Sequence, residues 1–584
     1  MKPAGGERLE KAFAIDAERR FRGGILKAAR IGEWTETRAW LVLAAIFLCA
    51  AYLSLKGLDN ASLWTDEAQD AMFARNLART GRLTGWDGRN LMAYQNGGTL
   101  RDDLGPVNAP LGMMCMALSY KVFGVSTWST RFPFVLLGLA SFLVFAAILR
   151  SDYGMKDPWL WTYGLGLYGL STWFLLYTRS ARYYSPIFLF TLGAFYSYRS
   201  YLKTRKQGYL HLLSLSAALA FLSNPMLCVA FMASMVVAHL LFHPRAFSAK
   251  DWLNAATGAV LFLALVLPYV FSFRIWDRPD FAAYAKEPWL GHHLALLWWN
   301  LRDLNLLPCL PFPIFVAAIC IYAVLGRRDA SAATMAEWGA IGLGNVGFIA
   351  LFSPQATVNP DPADVRYLVA SCPLLWGVAA AVLAFLARWS RLAAAAVFAV
   401  LLSCNLFSLL PAFGPGYFRW LLPAYWREIH NPYPTSSQVA IGFLDACAKP
   451  DDLVCAVPDF MNYPLMFYRG SQWRFCCLLD RQTHLPASVV QALNAPLSVD
   501  SNFPDWLVVF RSDRMSEALL RHFSRPHSSD GKTVRFSYEP VATMRVDGRE
   551  TQRPELCWHS FWPIPPNEKT NTARILQKRV AESH

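Results

Sequence analysis

The sequence predicts a polytopic α-helical membrane protein of about eleven transmembrane helices. Short interfacial helices are expected in its first outer loop, and a small C-terminal α/β domain outside the bilayer. Three observations carry this. Long apolar runs recur from Ala39 to Pro411 and then stop. Only 16% of the 584 residues are charged and 54% are hydrophobic, whereas a soluble domain is roughly 25% charged. From Phe413 onward hydropathy falls, and short β-rich runs alternate with helical stretches.

The chain divides into an arm (1–38), a membrane domain (39–412) whose first outer loop and its juxtamembrane helices take up 57–130, and a tail (413–584). The arm mixes Arg, Lys and Glu and lacks a short apolar core followed by a small-residue cleavage site, so it reads as a cytosolic leader to an uncleaved first span. Spans are placed at 39–56, 131–149, 157–177, 184–202, 208–223, 225–242, 252–273, 309–326, 335–353, 366–387 and 391–411. Each is close to the roughly 20 residues that a bilayer demands. In the tail, Asp452–Pro458 and Trp506–Phe510 read as buried strands, with helices at Ser437–Ala448 and Ser516–Phe523, and 567–584 reads as a polar, frayed end. No glycine-rich phosphate loop opens a helix there.

Charge orients the spans. Basic loops stay in the cytosol, which places Lys203–Lys206, Arg327-Arg328 and Arg388–Arg391 inside, and loops 57–108, 274–306 and 354–365 outside. The apolar segment 109–123 must then lie at the interface, because a crossing there would invert every later loop. The net charge of +14 belongs to cytosolic loops and anionic lipid; no zinc-finger spacing or basic-aromatic ladder points to nucleic acid. Five of the twelve cysteines, Cys447, Cys455, Cys476, Cys477 and Cys557, fall in the tail, where an oxidising compartment would permit a disulfide.

The chemistry gathers on the outer side. Leu63-Trp64-Thr65-Asp66-Glu67 follows the first span, and acids beside a bilayer are solvated, paired or functional. Asp66 is the candidate general base. Glu67, on another face of the same helix, supports the site by pairing with an arginine, and Asp70 lies one turn further on. The plainer reading, acids favouring a helix N-terminus, is compatible with this. Arg179, Arg182 and Tyr183 sit in an outer turn, and Arg366 opens a late span. Arginines there run against the charge bias, and guanidinium matches phosphate bidentately. Asp102 and Asp103 in the first loop and His292 and His293 in the 274–306 loop are candidate walls of an acceptor or sugar pocket. Asp66 and Asp103 would suit a divalent metal ion with oxygen ligands, against the simpler reading of solvated acids. No cofactor is fixed by the sequence.

Activated sugars outside the cytosol come attached to polyprenyl phosphates, and their transfer needs a base for the acceptor and cations for the departing phosphate. The motifs resemble the GT-C glycosyltransferases of the protein-mannosyltransferase and aminoarabinose-transferase type. Trp64-Thr65-Asp66-Glu67-Ala68 comes first; Ala109-Pro110-Leu111, Phe123-Gly124, Arg131-Phe132-Pro133, Ser180-Ala181-Arg182-Tyr183 and Arg366-Tyr367 before Pro373 follow in order. The resemblance implies an outward-facing site, a polyprenyl-phosphate sugar donor, inverting transfer, Asp66 as base or acceptor-binding acid, and arginines on the lipid phosphate. Two places depart from it: Val107-Asn108 stand where aminoarabinose transferases carry Glu-Lys, and Ser185 replaces an aspartate.

The expectation is a glycosyltransferase of the bacterial inner membrane, with its site and tail outside the cytosol. It moves a sugar from a polyprenyl-phosphate donor to a lipid, glycan or protein acceptor. The alternative is a transporter or flippase of lipid-linked sugars, though no internal repeat supports one. A non-catalytic assembly protein built around the tail is the third reading.

Overall fold

The computed structural model describes residues 35–92, 103–106, 108–244, 247–273, 290–305, 309–325, 329–352, 365–409, 418–432, 434–476, 503–510 and strand segments up to 581. Residues 1–34 of the arm, Asp102, Val107, Arg327-Arg328, the 359–364 turn, part of the helix expected at Ser516–Phe523, Cys477 and Cys557 lie outside them.

A helix stands at each predicted span position. They are α1 (Glu36–Leu55), α4 (Thr127–Tyr153), α5 (Pro158–Leu170), α6 (Thr172–Arg179), α7 (Tyr184–Thr204), α8 (Gln207–Phe221), α9 (Pro225–Phe242), α10 (Ala249–Phe273), α12 (Phe312–Leu325), α13 (Ala330–Phe352), α14 (Cys372–Trp389) and α15 (Arg391–Ser403). Among the described residues six of these, α1, α4, α9, α10, α13 and α14, are long and apolar enough to cross a membrane. The span expected at 157–177 breaks in two: Ser171 leaves helical geometry and its hydroxyl accepts the Phe174 N–H, capping α6. Apolar side chains such as Leu41, Leu48, Val260, Phe271 and Leu392 face outward, as a lipid-facing surface requires. Inside, Trp161, Trp173, Trp338, Trp376 and Tyr168 are fully buried in one aromatic core.

A second core lies beyond one end of the bundle. It joins α2 (Thr65–Thr80) and α3 (Leu111–Phe123) to the tail: Leu63, Ala68, Met72, Phe73, Met113 and Met116 pack with Leu444, Val454, Phe467, Trp506 and Ile575. α3 buries Met113, Met116, Ala117 and Tyr120 in this layer and leaves Met114, Leu118 and Val122 exposed as a stripe on its other side. At 13 residues it is about 20 Å long, shorter than the roughly 30 Å hydrocarbon core of a bilayer.

The tail begins with α16 (Leu421–His430) and α17 (Ser436–Cys447) and holds one six-stranded sheet in the order β2-β1-β3-β6-β5-β4. These strands are β1 (Leu453–Val457), β2 (Arg474–Phe475), β3 (Trp506–Val509), β4 (Pro526–Ser529), β5 (Lys532–Arg545) and β6 (Thr572–Ala581), with α18 (Asn462–Arg469) after β1. β1 pairs in parallel with β2 and β3, and β6 is antiparallel to β3 and β5. Val454 and Ala456 face the juxtamembrane layer while Cys455 and Val457 face a smaller cluster, so both sides of β1 are covered and its run is uniformly apolar. Within the end expected to fray, residues 572–581 are ordered as a strand. Residues 572–581 form an inner strand, because Ala573, Ile575 and Leu576 find apolar partners on both faces. All ten described cysteines are free.

Polar bonds lock the tail to the first loop. The Asn90 amide donates to Gly470 O (2.8 Å) and Trp473 O (3.2 Å), and its oxygen accepts from Phe475 N–H (2.9 Å). Arg75 reaches Phe467 O (3.2 Å), and the Tyr468 hydroxyl accepts the Leu63 N–H (2.9 Å). The first loop and the tail therefore share one side of the membrane, and an even number of crossings must separate them. The opposite side carries its own polar cluster: Asp152 pairs with Arg199 (3.0 Å) and Lys203 (2.9 Å), and Glu337 with Arg199 and His243. The 21 residues of α7, about 30 Å of helix, separate Lys203 from Arg182.

Candidate active site

Four segments far apart in sequence meet where the bundle joins the outer layer. The first is the N-terminal turn of α2, which carries Asp66, Glu67 and Asp70. Glu67 is 1% exposed and its carboxylate faces four N–H donors. Arg131 gives Nε to Oε1 (3.1 Å) and Nη2 to Oε2 (2.6 Å), Ala181 N–H gives to Oε1 (2.7 Å), and Trp64 N–H lies 3.4 Å from Oε2. Arg131 in turn donates to Leu58 O, Ala61 O and Ser62 O at 3.0–3.1 Å. With its lone pairs so occupied, Glu67 has no capacity left for a substrate proton. Glu67, expected among the catalytic residues, stands in this structure as the tie between α2, α4 and the 179–183 turn.

That tie brings Arg182 onto the face of α2 that carries Asp66 and Asp70. Arg182 Nη1 donates to Asp70 Oδ2 (2.5 Å) and Asp66 O (3.2 Å), and Nη2 lies 3.5 Å from Asp66 Oδ2. The same Asp66 oxygen is 3.3 Å from Arg366 Nη1. Arg366 sits in a short 3-10 turn, Val365–Leu368, rather than inside a span. Each arginine lies against the ring that follows it, Arg182 over Tyr183 (5.8 Å) and Arg366 over Tyr367 (5.1 Å). The two rings are parallel at 6.4 Å. Two carboxyl groups thus face two guanidinium groups, with side chains only 12–16% exposed.

Asp70 completes the quartet, and the sequence reading left it without a role. Its pKa is pushed up to about 6, chiefly by burial, with the Asp66 charge adding to the rise and Arg182 and the Asn108 amide opposing it. The signal was available: Asp66 and Asp70 stand four apart, one helical turn, so they share a face.

The other expected members that are described are engaged differently. Arg179 does not offer its guanidinium to a phosphate. Nη1 donates to Leu53 O (3.2 Å), Ser54 O (3.4 Å) and Lys56 O (2.6 Å), and Nη2 to Gly57 O (2.6 Å), so it caps the C-terminus of α1. Asp103 is exposed and its Oδ1 accepts the Gly105 N–H (3.0 Å) within its own turn. Asp102 falls outside the described residues. His292 and His293 ride on α11 (Leu290–Asp303); His292 is buried, and His293 Nδ1 donates to Ala350 O (2.9 Å) of α13. A divalent ion at Asp66 and Asp103 does not fit either: guanidinium groups flank Asp66, and no group of three His, Cys, Asp or Glu side chains gathers among the described residues.

Structural comparison bears on the fold. ArnT from Cupriavidus metallidurans in its apo state matches with a TM-score of 0.52 at 15% identity, over 85% of this chain and 98% of that one. The same protein bound to undecaprenyl phosphate matches with a TM-score of 0.49 at 16% identity, over the same shares. The chain therefore shares the fold of ArnT. More particularly, residues 107–271 match the family of dolichyl-phosphate-mannose-protein mannosyltransferases, in keeping with the resemblance read from the motifs. No curated protein matches the chain in sequence.

Proposed function

We propose that this protein transfers a sugar from a polyprenyl-phosphate donor to an acceptor on the extracytoplasmic side of the bacterial inner membrane. The observation that carries this is the convergence of Asp66, Arg182 and Arg366, from α2, the turn before α7 and the turn before α14, on one partly open face beside the bundle.

The roles follow from the chemistry. The donor's phosphate takes the guanidinium groups of Arg182 and Arg366. Both stand at 3.3–3.5 Å from Asp66 Oδ2, longer than the roughly 2.8 Å of a strong charged bond, so a phosphate oxygen competes well for them. Asp66, released, accepts the proton of the acceptor O–H or N–H as that atom bonds to the sugar's anomeric carbon. The bond from that carbon to the phosphate oxygen breaks, its electron pair leaves with the lipid phosphate, and the arginines hold the charge that develops. Attack from the side opposite the leaving group inverts the anomeric carbon. Tyr183 and Tyr367 help hold the two guanidinium groups in place by cation–π contact. Undecaprenyl phosphate bound to ArnT, a protein of the same fold, supports a carrier of this type.

The test is transfer by the purified protein from a synthetic polyprenyl-phosphate sugar, wild type against Asp66→Asn. Equal turnover removes Asp66 from the mechanism. Movement of the donor across vesicles without transfer replaces the reading with lipid transport.

A further inference from the structure

The reaction outlined above uses three of the four charged groups in the site and leaves Asp70 idle. Yet Asp70 makes the shortest contact there. Its Oδ2 lies 2.5 Å from Arg182 Nη1, against 3.5 Å between Arg182 Nη2 and Asp66. Before the donor arrives, Arg182 is held mainly by Asp70.

We propose that Asp70 takes up a proton when the lipid phosphate binds and so hands Arg182 over to the phosphate. The step rests on the reading that Arg182 and Arg366 receive the donor.

The argument is one of charge in a confined place. Two carboxyl groups face two guanidinium groups, so the empty site is balanced. A phosphodiester adds a negative charge where screening by water is weak. The imbalance is relieved by protonating one of the two acids. The groups facing Asp70 are Arg182 from the turn before α7, Asp66 one turn back on α2, and the Asn108 amide (3.5 Å) from the segment entering α3; Arg366 reaches it through Asp66. Asp70 is enclosed enough that its acid form is accessible near pH 6. Asp66, in contrast, is the group that must remain free to accept the acceptor's proton. Once Asp70 is neutral, Arg182 Nη1 turns to the phosphate, and Arg182 Nε, buried with no hydrogen-bond partner among the described residues, gains an acceptor. Linkage makes the effect reciprocal: if the anion raises the proton affinity of Asp70, protonation raises the anion affinity by the same factor.

The experiment measures binding of farnesyl methyl phosphate to the full-length protein in nanodiscs between pH 6 and 8. This phosphodiester keeps one negative charge throughout, unlike a phosphate monoester, whose second pKa is about 6. Wild-type affinity should weaken above pH 6 by up to about tenfold per pH unit, the limit for one coupled proton. Asp70→Asn should bind with little pH dependence and, at pH 8, about tenfold or more tighter than wild type. Calorimetry in buffers of different ionisation heat should show uptake of close to one proton by wild type and none by the variant. Asp70→Glu, a check should the amide variant fold poorly, should retain the pH slope.

Equal slopes in wild type and Asp70→Asn overturn the step while leaving the donor reading intact. Weaker binding by Asp70→Asn at every pH also overturns it, since Asp70 would then be needed charged to aim Arg182. Absence of wild-type binding at any pH overturns the donor reading together with this step.

Discussion

Arg131 and Glu67, 64 residues apart in the chain, meet in a two-bond pair at 3.1 and 2.6 Å inside the protein. The pair closes the loop between α1 and α2 and, through the Ala181 N–H on Glu67, fixes the backbone next to Arg182. The geometry of the charged quartet is therefore set by a neighbour that itself makes no contact with the open face.

Removing one partner of such a pair leaves an uncompensated buried charge. Glu67→Ala should destabilise the protein by roughly 3–5 kcal/mol. Thermal unfolding in detergent checks this, with a lowered midpoint and reduced yield expected. Arg131→Met should do comparable harm by stranding Glu67. A Glu67→Ala protein with wild-type stability would show the pair to be dispensable.

Asp66→Asn should behave in the opposite way. Its side chain is partly exposed and its charged contacts are long, so the unfolding midpoint should move little. Turnover should fall by about 10²–10⁴, the usual worth of a general base. Parallel measurement of midpoint and rate separates the two acids: Glu67 acts on stability and Asp66 on rate.

Arg366→Lys keeps the charge but loses the planar fork and its seat on Tyr367. Donor affinity should drop by about tenfold, roughly one charged hydrogen bond. Arg179→Lys should leave donor affinity unchanged and lower stability, because Arg179 donates to backbone carbonyls at the end of α1. Titration of the donor against both variants decides whether the two arginines differ in role as their partners differ.

Asn90→Leu removes an amide that serves three backbone groups of the tail. Each buried group left unpaired costs about 1–3 kcal/mol. Limited proteolysis should cut the variant faster than wild type within the tail, while the helical bundle stays protected.

Asp70 makes stability depend on pH. Its pKa in the folded protein is about 6, raised from 3.8. The folded state therefore holds a proton that the unfolded state has released between those values. Stability contributed by this group is full below about pH 4, declines as pH rises toward 6, and is level above it. Asp70→Asn should flatten that decline, read as the difference in unfolding midpoint between pH 4.5 and 7.

Much of the candidate site was legible at the level of residue type. Asp66, Arg182 and Arg366 stand out because charges are costly beside lipid, and the alternation of basic loops put all three on one side. What misled was the assumption that an outer-face arginine is there for phosphate. Arg179 and Arg182 occupy the same turn and look alike in sequence. One reaches back to the open carbonyls of α1 and the other forward to α2, a difference set by which way the turn faces. The end of the chain misled for a related reason: Thr572–Ala581 mixes polar and apolar residues, and only partners on both sides make it an inner strand of the sheet.

The sequence by itself determined the membrane class, the helix positions, the shared side of the first loop and tail, and the types of residue available for chemistry. These follow from local hydropathy and charge, which bilayer physics reads segment by segment. Only the tertiary structure decided that Glu67 is a structural tie and Arg179 a cap, that Asp70 shares Arg182 with Asp66, and that the tail and the first loop have a single core. Such assignments depend on which donor reaches which acceptor within about 3 Å, a matter of packing between segments hundreds of residues apart that no local pattern encodes.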